Sequence, residues 1–218
     1  MLSIEHIIAI ISAYLLGSVP TSIWTGKIFY GIDIRNYGSG NAGATNVFRV
    51  LGKKAGVPVL IIDILKGSLA VNLAFIFGTE SPQSSGFINF QMALGATAVL
   101  GHVFPVYAGF KGGKGIATLL GIMLAIHFQG ALLSIVIFLI VLLLTKYVSL
   151  SSITAALVFP LSIIVLFEAT VSSLVIFSLI VWIIVLITHQ KNIERLLKKE
   201  EYKTYLIKKR PNGYKEQN

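Results

Sequence analysis

The sequence predicts an all-α polytopic integral membrane protein of seven transmembrane helices, with the N-terminus outside and the C-terminus in the cytoplasm. Three observations predict it. Hydrophobic residues make up 55% of the 218 and charged residues only 12%, about half of the roughly one quarter usual in soluble domains. Mean hydropathy is +0.83, more than a soluble surface can cover. The cations are segregated between long apolar stretches. These features exclude a disordered chain, a disulfide scaffold and an ordinary cytosolic enzyme. With no cysteine in the chain, disulfides, thiolate metal sites and thiol catalysis are excluded too. The net charge of +9 is broken up by apolar blocks, so no continuous nucleic-acid groove is expected. Anionic lipid surfaces and phosphorylated substrates fit the charge better.

Five apolar blocks follow one another, at about 4–26, 56–78, 87–109, 116–145 and 147–188. A crossing helix needs about 20 residues, so the first three are one helix each. The first block carries Glu5 and no early cation, which reads as a retained first helix rather than a cleaved leader. The last two blocks are too long for single helices. His127, Phe128, Gln129 and Gly130 interrupt the fourth; Phe167, Glu168, Ala169 and Thr170 interrupt the fifth, which also holds Pro160. Splitting both gives seven spans. Charge supports the split independently, because Lys114, Lys146 and Lys191 share one side only if each long block crosses twice. All 18 Lys and Arg then lie on or near the cytoplasmic side, in segments of about 27–55, 110–115, 146–149 and 189–218. The expected organisation is a single transmembrane catalytic domain, 1–190, and a basic tail, 191–218. Ile193, Leu196, Leu197, Leu206 and Ile207 suggest an amphipathic interfacial helix in that tail; a solvated orientation signal is the plainer alternative.

The unusual residues collect on the cytoplasmic side. In the first loop, Gly38, Gly40 and Gly43 let backbone amides approach an anion, while Ser39, Asn41, Thr45 and Asn46 add neutral donors. Arg35 and Arg49 add forked charge suited to phosphate. The spacing is neither a P-loop nor a dinucleotide fingerprint; the structural alternative is a glycine-rich turn. A second segment, Lys111, Gly112, Gly113, Lys114 and Gly115, precedes a new helix and offers another anion site, or else a lysine anchor with a turn. His102 beside it reads as either a site group or a satisfied helix-end histidine. Asp63 and Lys66 share a helix face and can pair inside the membrane, most simply as a support for the first loop. Ser149, Ser151 and Ser152 bind substrate or cap a helix. His189 and Asn192, three apart, share the rim at the last helix end. There is no HExxH pair, no GxSxG elbow and no HxxxxD pattern, so no base–nucleophile pair stands out and no metal or cofactor is expected.

Gly38-Ser-Gly-Asn-Ala-Gly-Ala-Thr-Asn46, Asp63-x-x-Lys-Gly67, Phe110-Lys-Gly-Gly-Lys-Gly115, Tyr147-x-Ser-Leu150 and His189-x-x-Asn192 resemble the motifs of the bacterial acyl-phosphate:glycerol-3-phosphate acyltransferases, the PlsY family. The resemblance runs from the first helix to about residue 195 and is silent on the tail after about 198. It implies a seven-helix protein of the bacterial cytoplasmic (inner) membrane with its site facing the cytoplasm. It implies transfer of a fatty acyl group from acyl phosphate to the 1-position of sn-glycerol 3-phosphate, giving lysophosphatidic acid and phosphate, the first acylation of phospholipid synthesis. By motif, Ser39 and its loop amides would hold the donor phosphate. Arg49, Lys114, Ser149, His189 and Asn192 would hold or polarise glycerol 3-phosphate and the donor, with a substrate phosphate oxygen as base. Membrane lipids, and transiently the upstream enzyme that forms acyl phosphate, are the further partners implied.

A secondary transporter for a phosphorylated anion is the rival reading, but transporters place binding groups near the midplane and often show inverted repeats, and here the groups cluster at one face. A head-group transferase using a nucleotide donor would want an acidic metal motif that is missing. The topology has a direct test. Single cysteines introduced at positions 40, 112 and 148 or in the tail will resist an impermeant thiol reagent in intact cells, and those at 81 and 129 will react. Efficient outside labelling at 112 would sink the orientation.

Overall fold

A computed structural model of the chain describes residues 3–82, 84–167 and 171–204. Among them the only regular elements are helices. The first block is two helices, α1 (Ile4–Ser18) and α2 (Thr21–Tyr30), bent 41° apart. The break falls at Val19 and Pro20, where proline lacks the amide that would continue the ladder. A short α3 (Ala44–Val50) follows the first loop. Then α4 (Lys53–Asn72) runs on through α5 (Ala74–Phe77) as one 25-residue apolar span. Ser84 caps α6 (Ser85–Val103), its Oγ accepting from the Phe87 amide at 3.1 Å.

The fourth block divides at the expected place, into α7 (Ile116–Ile126) and α8 (Phe128–Thr145). His127 makes the division: its ring Nδ1 accepts from the Gly130 amide at 3.2 Å and caps the new helix. The fifth block gives α9 (Val148–Val165) and α10 (Ser172–Thr188). Pro160 lies inside α9 rather than at a break, and Glu168, Ala169 and Thr170 lie outside the described residues. After His189 the chain bends 60° into α11 (Gln190–Leu197), an amphipathic helix with Leu197 exposed. Leu206 and Ile207 lie outside the described residues.

Among the described residues four helices are long and apolar enough to cross a membrane, or up to six if each bent pair counts as one crossing. The seventh expected crossing falls on α7. Its 11 residues rise about 16 Å at about 1.5 Å each, roughly half a hydrocarbon core.

Close packing, not sorting of apolar from polar faces, joins the helices, since lipid offers no hydrophobic drive for helix association. α4 packs along α7, α1 along α6 and α8 along α9. Small residues set the approach: a Cβ on Gly67 would strike the Thr118 carbonyl of α7, and one on Gly121 the Ile64 carbonyl of α4. Neither obstacle is a flexible side-chain tip, so the helices themselves would have to part. Gly67→Ala is expected to cost about 1–3 kcal/mol through this overpacking, read as a lower thermal midpoint of the purified protein in detergent; an unchanged midpoint would mean that α4 and α7 are not so closely apposed.

Candidate active site

The first loop is built around Asn46. This residue is 1% exposed; its Nδ2 donates to the carbonyls of Ile34 and Tyr37 at 3.1 and 3.0 Å, and its Oδ1 accepts from the Ser39 amide at 2.9 Å. Asn46 therefore organises the loop, with both of its side-chain polar atoms engaged within it. The Ser39 amide, expected to face a phosphate, is engaged in the same contact, and the Gly40 amide donates to Tyr37 at 3.1 Å. Gly38 is needed at its place, with φ of +62° and the Asn46 side-chain oxygen Oδ1 where a Cβ would stand. What remains for a ligand is the stretch after it. The amides from Asn41 through Thr45, and the Ser39 and Thr45 hydroxyls, have no partner among the described residues; Gly43 is the residue before α3.

Arg35 is not an anion ligand either. Its guanidinium pairs with Asp33 at 2.7 Å and donates to the carbonyls of Ala108 and Lys111 at 3.1 and 3.3 Å. The Arg35 guanidinium holds the Asp33 carboxyl down to about 2. The sequence offers two arginines to the anion, and the structure spends one tying the first loop to the second.

The second loop closes the end of α6. Gly112 and Gly113 donate their amides to the carbonyls of Val103 and His102 at 3.0 and 3.2 Å, satisfying helix-end acceptors. These two amides thus cap a helix instead of cradling a phosphate, correcting the expectation for them. Lys111 is exposed and Gly115, at φ of +76°, turns the chain into α7. Beneath both loops Thr21, Ser22, Asp63, Lys66 and His102 line a narrow cavity.

Lys114, Ser149 and Asn192 do converge, and the point of convergence is Glu201. Its carboxylate accepts from Ser149 Oγ at 3.1 Å, Asn192 Nδ2 at 2.8 Å and Arg195 Nε at 2.8 Å. Lys114 Nζ donates to Asn192 Oδ1, so the amide puts its oxygen toward the cation and its nitrogen toward the acid. Arg49 lies over the Tyr202 ring, 4.3 Å from its centroid, and Arg195 lies 5.7 Å from it. Residues 201–204 return to the bundle, where the Thr204 amide donates to the Lys146 carbonyl at 2.7 Å. Ser151 and Ser152 bond back to the carbonyls of Tyr147 and Val148 at 2.8 and 2.9 Å, so of the three serines Ser149 alone faces the cluster. His189 is 4% exposed, with Nδ1 2.8 Å from the Val185 carbonyl. A carbonyl only accepts, so Nδ1 carries the proton and Nε2 is left as an acceptor.

Glu201, Tyr202 and Arg195 were not among the residues singled out from sequence. The one available signal was an acid beside an aromatic in a segment with nine cations and four acids. The segment expected as a separate tail supplies Asn192, Arg195 and Glu201 to the site. One arginine, a hydroxyl and an amide meet the Glu201 carboxylate, with Lys114 joined to it through Asn192 and Arg49 stacked on the adjoining Tyr202.

Comparisons with known proteins agree on one family. The family model for glycerol-3-phosphate acyltransferase matches residues 7–199. The chain is 43% identical over 197 residues to a glycerol-3-phosphate acyltransferase of Enterococcus faecalis (strain ATCC 700802 / V583), covering 87% of this chain and 88% of the relative. It is 46% identical over 198 residues to glycerol-3-phosphate acyltransferase 2 of Bacillus anthracis, covering 91% and 98%. Its fold is similar to the crystal structure of PlsY, an integral membrane glycerol 3-phosphate acyltransferase, in its glycerol 3-phosphate form: TM-score 0.79, 38% identity, 92% of this chain and 96% of that one. The lysophosphatidic acid form of PlsY gives 0.76 and 36%, covering 92% and 95%.

Lys114 carries a pH prediction. Burial pulls its amine down to about 8, with Glu201 pulling back and Arg195 pushing further down. A charged amine attracts a phosphate and a neutral one does not, so whatever phosphate affinity Lys114 supplies is present below pH 8 and lost as pH rises through it. The apparent dissociation constant for a phosphate monoester will rise severalfold between pH 7 and 9. Lys114→Arg will flatten the rise, since guanidinium stays charged throughout. Equal pH slopes in the two proteins, by titration in lipid nanodiscs, would remove Lys114 from the anion site.

Proposed function

The chain belongs to the glycerol-3-phosphate acyltransferase family, and from that premise we propose that it is an acyl-phosphate-dependent glycerol-3-phosphate 1-O-acyltransferase of the bacterial inner membrane. Its site would open at the cytoplasmic rim, where a long acyl chain arrives from the bilayer and glycerol 3-phosphate from the water. The observation that supports the reading is a cluster of Ser149, Asn192 and Arg195 on the Glu201 carboxylate, extended by Lys114 on Asn192 and by Arg49 on Tyr202, beside a loop with unpaired amides. Both substrates carry phosphate, and both need such groups.

In the proposed reaction the hydroxyl oxygen on carbon 1 of glycerol 3-phosphate attacks the acyl carbonyl carbon. The bond from that carbon to the phosphate oxygen breaks, inorganic phosphate leaves, and the hydroxyl proton passes to a phosphate oxygen. An acyl phosphate is already activated, so orientation and charge neutralisation supply most of what is needed. Ser39 and the amides that follow it in the loop hold the donor. Arg49, Lys114, Ser149 and Asn192 hold the acceptor and the leaving charge. His189, with Nε2 as an acceptor, orients the hydroxyl. No acyl-enzyme is formed: the chain has no Cys, and among the described residues neither Ser39 nor Ser149 is paired with a histidine base for covalent catalysis.

Purified protein in lipid, given acyl phosphate and glycerol 3-phosphate, will release phosphate and lysophosphatidate in equal amounts, with intersecting double-reciprocal lines. Arg49→Ala will lose at least about 2 kcal/mol of transition-state stabilisation in kcat/KM. Acyl label trapped on the protein with donor alone, together with ping-pong kinetics, would point to Ser39 or Ser149 as a nucleophile; acyl-CoA serving equally well as donor would count against acyl phosphate.

A further inference from the structure

Two reactants must be brought to within about 3–3.5 Å and aligned for transfer, and a misplacement of about 1 Å costs on the order of a hundredfold. The donor and the acceptor here are held by different segments, so something must set one loop against the other. Two contacts do so. On the outer side the Arg35 guanidinium reaches from the first loop to the carbonyls of Ala108 and Lys111. On the inner side is His102, near the end of α6 and 7% exposed.

His102 touches every part of the junction. Its Nδ1 lies 3.2 Å from Thr118 Oγ1 on α7 and 3.9 Å from Asp63 Oδ1 on α4. Its carbonyl accepts from the Gly113 amide at 3.2 Å. Its Nε2 edge stands so near Gly113 that any Cβ there would collide with it. The Ala42 carbonyl of the first loop also crowds that position, 2.9 Å from where the Cβ would be, and Ser22 Oγ donates to this carbonyl at 2.6 Å. Gly113 is thus packed against both an imidazole and the first loop, one residue before Lys114.

We propose that His102 is a positioning residue of the acyl transfer: wedged under Gly113 and seated on Thr118, it sets the spacing of the two substrate-holding loops without touching either substrate. The inference rests on the acyltransferase reading. It separates His102 from the groups that bind phosphate. Those groups, when lost, weaken one substrate; the loss of His102 leaves each loop able to bind its own substrate and misplaces one against the other.

The test is steady-state kinetics in lipid with acyl phosphate and glycerol 3-phosphate, expressed per folded molecule by size-exclusion recovery. His102→Asn keeps a group at the Nδ1 position for Thr118 but withdraws the Nε2 edge from Gly113. It will lower kcat at least tenfold and leave both KM values within about threefold of wild type. His102→Gln, whose amide reaches the Nε2 position, will recover part of the loss. Gly113→Ala will be crippled alone and partly rescued by His102→Asn, a coupling that a purely stabilising role does not give. A wild-type kcat in folded His102→Asn, additive losses in the pair, or a rise of one KM alone would each overturn the proposal. If His102→Asn does not fold, Thr118→Val decides: a fall in kcat at constant KM supports positioning, and an unchanged kcat refutes it. Failure of the acyltransferase reading is distinguishable, because then wild type itself makes no lysophosphatidate.

Discussion

The loop-bearing end of this bundle is assembled around one buried ion pair. Lys66 Nζ stands 2.9 Å from Asp63 Oδ1, and both side chains are almost wholly buried. Charges so placed are costly unless every donor and acceptor is met. Here they are met by neighbouring elements. Thr21 Oγ1 donates to Asp63 at 3.1 Å, and Lys66 donates to the Val19 carbonyl at 3.0 Å. That carbonyl belongs to the break between α1 and α2 and also accepts from the Thr21 amide at 3.0 Å, so the pair is anchored to the proline bend. His102 approaches the same carboxylate from α6. Four helices are thereby tied at one level, and both loops rest on the knot.

Above it the site is held by a second acid. Glu201 accepts from Ser149 on α9 and from Asn192 and Arg195 on α11. Cations crowded into so small a volume repel one another, and a carboxylate among them offsets that repulsion. The two acids act at different depths, one beneath the loops and one at the rim. Between them the second glycine segment is packed from below and Lys114 is steered from above through Asn192.

Arg35 and Asn46 show why residue type alone does not separate a ligand from a support. An arginine and an asparagine in a glycine-rich loop have the chemistry to hold phosphate. Asn46 is instead the internal brace of its loop, and Arg35 the strap between loops. Buried polar groups must be satisfied, and a tight loop with many backbone groups turned inward consumes its own side chains to do so. The same need explains why Gly112 and Gly113 donate to the end of α6.

The apolar blocks, the interruption at His127, the family motifs and the identity of the polar residues at the rim were all legible in the sequence. Each depends on local composition and on the cost of placing charge in lipid, which acts on one helix at a time. Three things were decided only by the tertiary structure. The length of α7 is one, since a helix end is set by what packs against it. The division of polar residues into supports and ligands is another, since it turns on which buried acceptors lie within reach. The third is the place of Glu201, a single acid in a basic segment, which acquires its role only when the chain after α11 returns to meet Ser149, 52 residues earlier. Contacts across such a separation leave no periodicity or spacing in one sequence, because the geometry that creates them is a property of the folded bundle.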